Sequence, residues 1–290
     1  MVIKRIEQFL ASLYKCIRFS CKQIRERINL GNYYFPYSDI LKGKSVIVLG
    51  NGPSLKNDVD KIKKRAEETG SLLYAVNNCA MTDMFQIMRP QLYCFIDHLY
   101  FEEQPNDYNR IYDCMNERVQ WDMQLFIPVD KYKFVSSRIN NTNITIIPVA
   151  TLPFDGFEKC KYPAYKRGVA VPLFVNVVNL AIYTSLNRGV KKIFLYGVDH
   201  TFLRLLSVDD QNNLVLRDEH FYGSEVSYFP PKPDGTRWTV SSFVYDKYLT
   251  FKEHDNIRGY ADYLGAEIIN CTECSSIDSY VRLSQVEGKE

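Results

Sequence analysis

The sequence predicts an α/β fold of the Rossmann-like kind, a mostly parallel sheet with helices on both faces. Three observations predict it. From residue 45 onward, short β-branched or aromatic runs alternate with helical patterns, the signature of βαβ units. The first run, Ser45-Val46-Ile47-Val48-Leu49, is apolar almost throughout rather than at alternate positions, as a strand buried on both faces requires. It leads directly into Gly50-Asn51-Gly52-Pro53-Ser54-Leu55, a glycine turn where a strand hands over to a helix.

In chain order, Ile3, Ile6, Leu10, Leu13, Ile17, Cys21, Ile24 and Ile28 recur at spacings of three and four, which predicts one apolar helical face. Seven basic residues in 1–28 (Lys4, Arg5, Lys15, Arg18, Lys22, Arg25, Arg27) oppose only Glu7 and Glu26, so this is a basic amphipathic helix. Three roles are open to it: lying on an anionic membrane surface, docking on another subunit of a homo-oligomer, or covering part of the core. Residues 32–42 read as a linker, so the chain divides into a helix-plus-linker at 1–42 and one catalytic domain at 43–290. A helix is expected at 58–69, then strands at 72–76, 92–96, 125–129 and 144–149. Pro172 opens a helix predicted to 186, Lys192 to Tyr196 form a strand, and 202–238 is broken by paired Asp, Asn and Pro into a lid-like irregular insertion. A helix at 243–264, a strand at 267–270 and a short helix at 276–283 complete the series.

Composition narrows the function classes. With 290 residues, 46% of them apolar, the chain can build one large core. No run approaches the roughly 18 apolar residues of a spanning helix, and the start lacks a secretory h-region and cleavage site, so a cytoplasmic protein is expected. The net charge of +2 conceals a basic head and a body that is net negative, which argues against a nucleic-acid partner. Of eight cysteines only Cys271 and Cys274 have C-x-x-C spacing, and a single pair without a neighbouring histidine reads as structural thiols. Asp58-Val59-Asp60 has D-x-D spacing but opens a predicted helix, where carboxylates favour the dipole without a metal. No metal site is expected.

The glycine turn carries the chemistry. Backbone N–H groups at Gly50, Asn51, Gly52 and Ser54 could hold a phosphate, with Pro53 setting the turn. It lacks the Lys-Ser/Thr of a Walker loop and the third glycine of a dinucleotide fingerprint. The bland alternative is a tight strand-to-helix turn.

Four segments in order resemble the family 42 bacterial sialyltransferases and the related uncharacterised family that includes MptE-type 6-hydroxymethylpterin pyrophosphokinases and motility-associated flagellin glycosyltransferases. They are Gly50-Asn-Gly-Pro-Ser-Leu55, Asn187-Arg-Gly-Val-Lys-Lys-Ile-Phe-Leu-Tyr-Gly-Val-Asp199, Glu219-His-Phe-Tyr-Gly223, and Ile269-Asn-Cys-Thr272 with Ser275-Ser-Ile277. The resemblance implies an inverting glycosyltransferase in bacterial surface-glycan assembly, with a nucleotide sugar (a cytidine monophosphate donor) and a glycan acceptor as substrates, and neither metal nor further cofactor. It implies that His220 is the general base, a task suited to an imidazole titrating near neutrality. It places Asn51 and Asn77 at the nucleotide and Asp97 at a third strand end; Asp199, ending a core strand, has two readings, orienting a loop or meeting the nucleotide ribose. Two positions depart from the pattern: Asp97 stands where the sialyltransferases carry asparagine, and His200-Thr201-Phe202 stand where they carry phosphate-stabilising tyrosines. His200 is therefore a candidate donor to the leaving phosphate, with loop packing as the alternative. Gly168 to Pro172 replace the family's donor-carboxylate loop, and Asn176 and Asn179 read as ordinary helix residues. The same resemblance leaves open a pyrophosphokinase passing diphosphate from ATP to a pterin alcohol, and the fold alone also permits a non-catalytic nucleotide-binding protein. At the inner face of a bacterial membrane, the basic helix would be the contact.

Overall fold

The computed structural model describes residues 2–30, 34–103, 107–220, 223–228 and 236–287, with side chains described for 4–23, 34–103, 107–216 and 236–286. Helix α1 (Val2–Leu30) leads. Then β1 (Ser45–Leu49), α2 (Val59–Thr69), β2 (Leu72–Val76), α3 (Asp83–Met88), β3 (Leu92–Cys94), α4 (Arg110–Arg118), β4 (Met123–Pro128), α5 (Tyr132–Ser136) and β5 (Ile144–Val149) alternate. Helices α6 (Glu158–Lys166) and α7 (Val177–Asn187) precede β6 (Lys192–Tyr196). Strands β7 (Leu206–Val208), β8 (Leu214–His220) and β9 (Gly223–Tyr228) follow, and α8 (Val240–Leu264), β10 (Glu267–Asn270), β11 (Val281–Arg282) and α9 (Leu283–Glu287) close the chain.

Eight strands form one parallel sheet in the order β11-β10-β6-β1-β2-β3-β4-β5. The expected Rossmann-like architecture is thus present. Every residue of β1 is buried, and the pleat sends Val46 and Val48 to one face and Ile47 and Leu49 to the other. The first face packs on α7 and α8 through Leu180, Tyr183 and Tyr260, the second on α2 through Ile62. Farther along that second face, Tyr93, Phe95 and Leu125 meet Phe85 of α3 and Tyr112 of α4. Removing any one of these large side chains from water contributes about 1.5–3 kcal/mol, so continuous apolar strands are what a doubly covered sheet selects.

The sequence reading is corrected in four places. First, 206–208, 214–220 and 223–228 are not irregular: as β7, β8 and β9 they make a three-stranded antiparallel sheet. Leu214 and Leu216 alternate inward onto Phe243, beside Phe202 and Trp238, and the carboxylate of Asp209 accepts the N–H groups of Gln211 and Asn213 to shape the β7–β8 turn. Second, α7 starts at 177 rather than 172. Asn176 is its extended N-cap, accepting from Val178 N at 2.8 Å, while Leu173 N–H donates to Glu253 and Val171 bridges Pro153. Third, 276–280 is a loop rather than helix, because Arg282 donates to the carbonyls of Thr272, Ser275 and Ile277 and folds the segment back on β10. Fourth, the segment expected as linker joins the core at Phe35, which is buried against Phe126 and Tyr183 and whose carbonyl accepts from Asn187.

The described part of the apolar stripe of α1 does not cover the core. Ile6, Leu10, Leu13 and Ile17 are 52, 55, 40 and 58% exposed. A different face docks: Phe19 stacks on Phe154, Phe9 meets Phe157, and Lys15 pairs with Asp155 at 2.8 Å. Among the described residues no helix is long and apolar enough to cross a membrane.

Candidate functional site

Strands β1 and β6 are neighbours, and from them the sheet grows in opposite directions. Their carboxyl ends therefore form a topological switch point, where α/β sheets open a crevice. A cavity of about 140 Å³ lies there, lined by the Gly50 to Pro53 turn, Asn77, Asn176 to Val178, Gly197 to Phe202 and Leu205. That is less than encloses a whole small ligand, so it is the throat of a site that opens outward.

The first lip is locked to the second. Gly50 N–H donates to Tyr196 O and Gly52 N–H to Gly197 O, each at 2.8 Å. Ser54 Oγ donates to Asp199 Oδ2 at 2.8 Å, and Ser54 N–H also meets that carboxylate. The two glycines are required by this closeness: a Cβ on Gly52 would overlap the Asp199 carboxylate, and one on Gly50 would overlap the Gly197 carbonyl. With Gly50, Gly52 and Ser54 engaged in this way and Leu55 N–H bonded to Gly52 O, the turn is a cross-strand lock as much as a phosphate cradle. Burial pushes the Asp199 carboxyl above its ordinary value, opposed by the Ser54 hydroxyl and amide, which favour the ionised form.

The second lip rests on the β10 loop. Thr272 Oγ1 accepts from Val198 N, Ser275 Oγ donates to Val198 O, and Ser276 N–H donates to Asp199 O. The segment 269–277, singled out in the sequence, therefore supports the turn that carries Asp199 and His200.

Two of the pocket's residues hold costly backbone. Asn77 and His200 have φ of 49° and 52°, left-handed values that side chains other than glycine adopt at a cost of order 1–3 kcal/mol. The Tyr93 hydroxyl donates to Asn77 O and accepts Ala80 N–H, which holds the first of these turns. Among the described residues, the buried Oδ1 atoms of Asn51 and Asn77 have no hydrogen-bond partner. Unsatisfied buried acceptors are costly, and two at one pocket mark a place where a ligand's donors fit.

Of the residues proposed from sequence, the structure brings Gly50, Asn51, Gly52, Pro53, Asn77, Asp199 and His200 to this pocket, with Ser54 directly behind it. It does not bring Asp97, whose half-exposed carboxylate caps the turn at 98–101 by accepting Leu99 N–H at 3.0 Å and lies 3.1 Å from His98. His220 ends β8, its backbone opposite Gly223; its side chain lies outside the described residues. Asn176, read as an ordinary helix residue, lines the pocket while capping α7. His254 and Tyr280 were not anticipated: His254 Nε2 is 3.1 Å from His200 Nε2, and its Nδ1 is 2.9 Å from Tyr280 Oη. Nothing local in the sequence signals them, since they lie 54 and 80 positions beyond His200.

A larger groove of about 650 Å³ runs between α2 and α9. Its cations already have partners: Arg65 on Tyr196 Oη, Lys61 on Asp58 and Glu273, Lys64 beside Glu68, and Arg282 on three carbonyls. Among the described residues no group of three or more His, Cys, Asp or Glu is arranged to hold a metal ion. Compared with known proteins, the chain matches no family model and no curated protein.

Proposed function

We propose that the chain is an inverting glycosyltransferase of sialyltransferase-like type, which takes a CMP-linked sugar at the β1–β6 crevice and passes the sugar to a surface-glycan acceptor. The observation that carries the nucleotide reading is the pair of buried, unpartnered amide oxygens of Asn51 and Asn77 at the switch-point pocket. Ribose hydroxyls and the cytosine amino group are donors of the kind these acceptors lack, and Asp199 offers a further acceptor beside them. Glycosyl transfer itself rests on the four-segment resemblance, with His220 as the base that removes the acceptor's proton.

The same proposal gives α1 a place at the inner face of a bacterial membrane. Its exposed Ile6, Leu10, Leu13 and Ile17 would enter the interfacial region, and Lys4, Arg5, Arg18 and Lys22 would meet anionic headgroups. Two experiments test the reading. A panel of CMP-, UDP- and GDP-sugars and ATP, assayed for donor consumption with and without EDTA, should give turnover with the CMP-sugar alone and no loss on chelation. Turnover of ATP with a pterin alcohol would replace glycosyl transfer by diphosphate transfer. Sedimentation with phosphatidylglycerol vesicles should carry down the full chain and leave one lacking residues 1–28 in solution.

A further inference from the structure

His200 lines the switch-point pocket yet is only 7% exposed, and its ring is tied from behind by a second buried histidine. The hydrogen positions of this pair follow from its surroundings. An N···N hydrogen bond at 3.1 Å between His200 Nε2 and His254 Nε2 requires that one nitrogen carry a hydrogen and the other a lone pair. His254 Nδ1 faces Tyr280 Oη at 2.9 Å and Asn179 Nδ2 at 3.4 Å. Among the described residues it is the hydrogen-bond partner of the Tyr280 hydroxyl, and a buried phenol places its hydrogen on an acceptor. With Tyr280 Oη donating to it, His254 Nδ1 is the lone-pair nitrogen, so the hydrogen of His254 is on Nε2 and points at His200 Nε2. His200 then accepts at Nε2 and carries its own hydrogen on Nδ1.

Charged forms do not intervene. Burial pushes His254 down to about 3, and burial, then His254, then Lys247 push His200 well below the usual histidine range, so both rings are neutral near pH 7.

We infer that His200 uses this Nδ1–H to donate to an anionic oxygen of the bound nucleotide, and that His254 and Tyr280 are positioning residues that hold it in that tautomer. The inference rests on the nucleotide reading of the pocket. It supplies the donor that the Gly50 to Leu55 turn offers sparingly, with its Gly50, Gly52, Ser54 and Leu55 amides engaged by the protein. A neutral donor also suits a pocket that holds the Asp199 carboxylate, because it stabilises a phosphate oxygen without forming an ion pair with that carboxylate.

The test is long-range ¹H–¹⁵N correlation on the full chain labelled at histidine, whose four histidines can be assigned by single substitutions. His200 should show a protonated Nδ1 and His254 a protonated Nε2. CMP should shift His200 Nδ1, whereas cytidine, lacking the phosphate, should bind without shifting it. Tyr280→Phe, which removes the hydroxyl that donates to His254 Nδ1, should leave His254 in a mixture of tautomers. His254→Leu should weaken CMP binding about 10- to 100-fold, the worth of a hydrogen bond to a charged group, while His254→Gln, whose amide can still donate to His200, should recover most of the loss. Cytidine affinity should change in neither variant. A His200 ring protonated at Nε2, or CMP bound with His200 Nδ1 unmoved, would overturn the inference. Failure of CMP and cytidine alike to bind the wild-type protein would instead remove the nucleotide reading and the inferred ligand with it, and the tautomers of the unliganded protein would still decide the positioning by His254 and Tyr280.

Discussion

Replacing Gly52 by alanine should disturb the crevice and the fold together. The new Cβ would overlap Asp199 Oδ2 and stand 2.6 Å from its Cγ and 2.7 Å from the Gly197 carbonyl oxygen. That carbonyl accepts the Gly52 N–H at 2.8 Å, so it cannot retreat without breaking the bond that closes the two lips. Asp199 can swing away, but only by releasing Ser54 Oγ at 2.8 Å and the Ser54 amide. Overpacking and an abandoned buried hydrogen bond each cost about 1–3 kcal/mol, so the variant should lose roughly 2–6 kcal/mol. For a chain of this size that lowers Tm by roughly 3–10 °C. Thermal unfolding followed by circular dichroism measures it, in a double-mutant cycle with Asp199→Ala. Because the second change removes the overlapped carboxylate, the double variant should be less destabilised than the sum of the singles by at least about 1 kcal/mol. Strict additivity, or a Gly52→Ala protein melting within about 2 °C of the wild type, would refute the lock.

Three further outcomes are expected. In steady-state assays of sugar transfer, His220→Ala should lower kcat by roughly 10²- to 10⁴-fold with donor affinity little changed; a wild-type rate would exclude it as the base. Stability should fall below about pH 6.5: His200 and His254 are held neutral in the fold and charge freely when unfolded. Their contribution is fully present above the unfolded pKa and is lost as pH falls, at up to about 1.4 kcal/mol per pH unit for each ring. Urea titrations should therefore show a shallower pH dependence in His254→Leu. Burial raises the Asp155 carboxyl, but Lys15 and Lys252 outweigh it and hold it below its ordinary value, so the contribution of this pair is present above the unfolded carboxylate range and lost as pH falls through the folded value. Asp155→Asn should increase hydrogen exchange along α1 near pH 7 and abolish the acid-dependent release of the helix; unchanged exchange would assign its docking to Phe9 and Phe19 alone.

Much of the sheet is legible because burial on both faces imposes a composition. β1, β2, β5, β6 and β10 have the bounds expected from the sequence. The small sheet is hidden because, among the described residues, β7 and β8 have only Leu206, Leu214 and Leu216 to mark an inner face, so turn-forming Asp, Asn and Pro dominate the local pattern. The start of α7 was misplaced because proline and asparagine compete as opening signals, and tertiary bonds at 171 and 173 decide for Asn176. In the pocket, the residues on β1 and β6 were readable as strand ends followed by turns. Asp97 also follows a strand, but alternation places only the strand end, and the direction of the next turn sends the side chain to cap 98–101 instead. His254 and Tyr280 act across space, and no spacing rule along the chain reaches them.

The arrangement of β1 beside β6 also sets an order of assembly. As the chain is made, β1 to β5 can pair one after another, each with the strand before it. Until β6 emerges, the other edge of β1 stays open, a strand apolar but for Ser45 with unpaired amides and carbonyls, the kind of edge that recruits wrong partners. Ser54 then waits 145 residues for Asp199, His200 a further 54 for His254, and His254 26 more for Tyr280. The crevice is thus among the last features the nascent chain can complete. A ligand for it could rescue slow or destabilised folding only after synthesis is nearly finished, and chains cut short before residue 192 would expose the β1 edge with no crevice to stabilise.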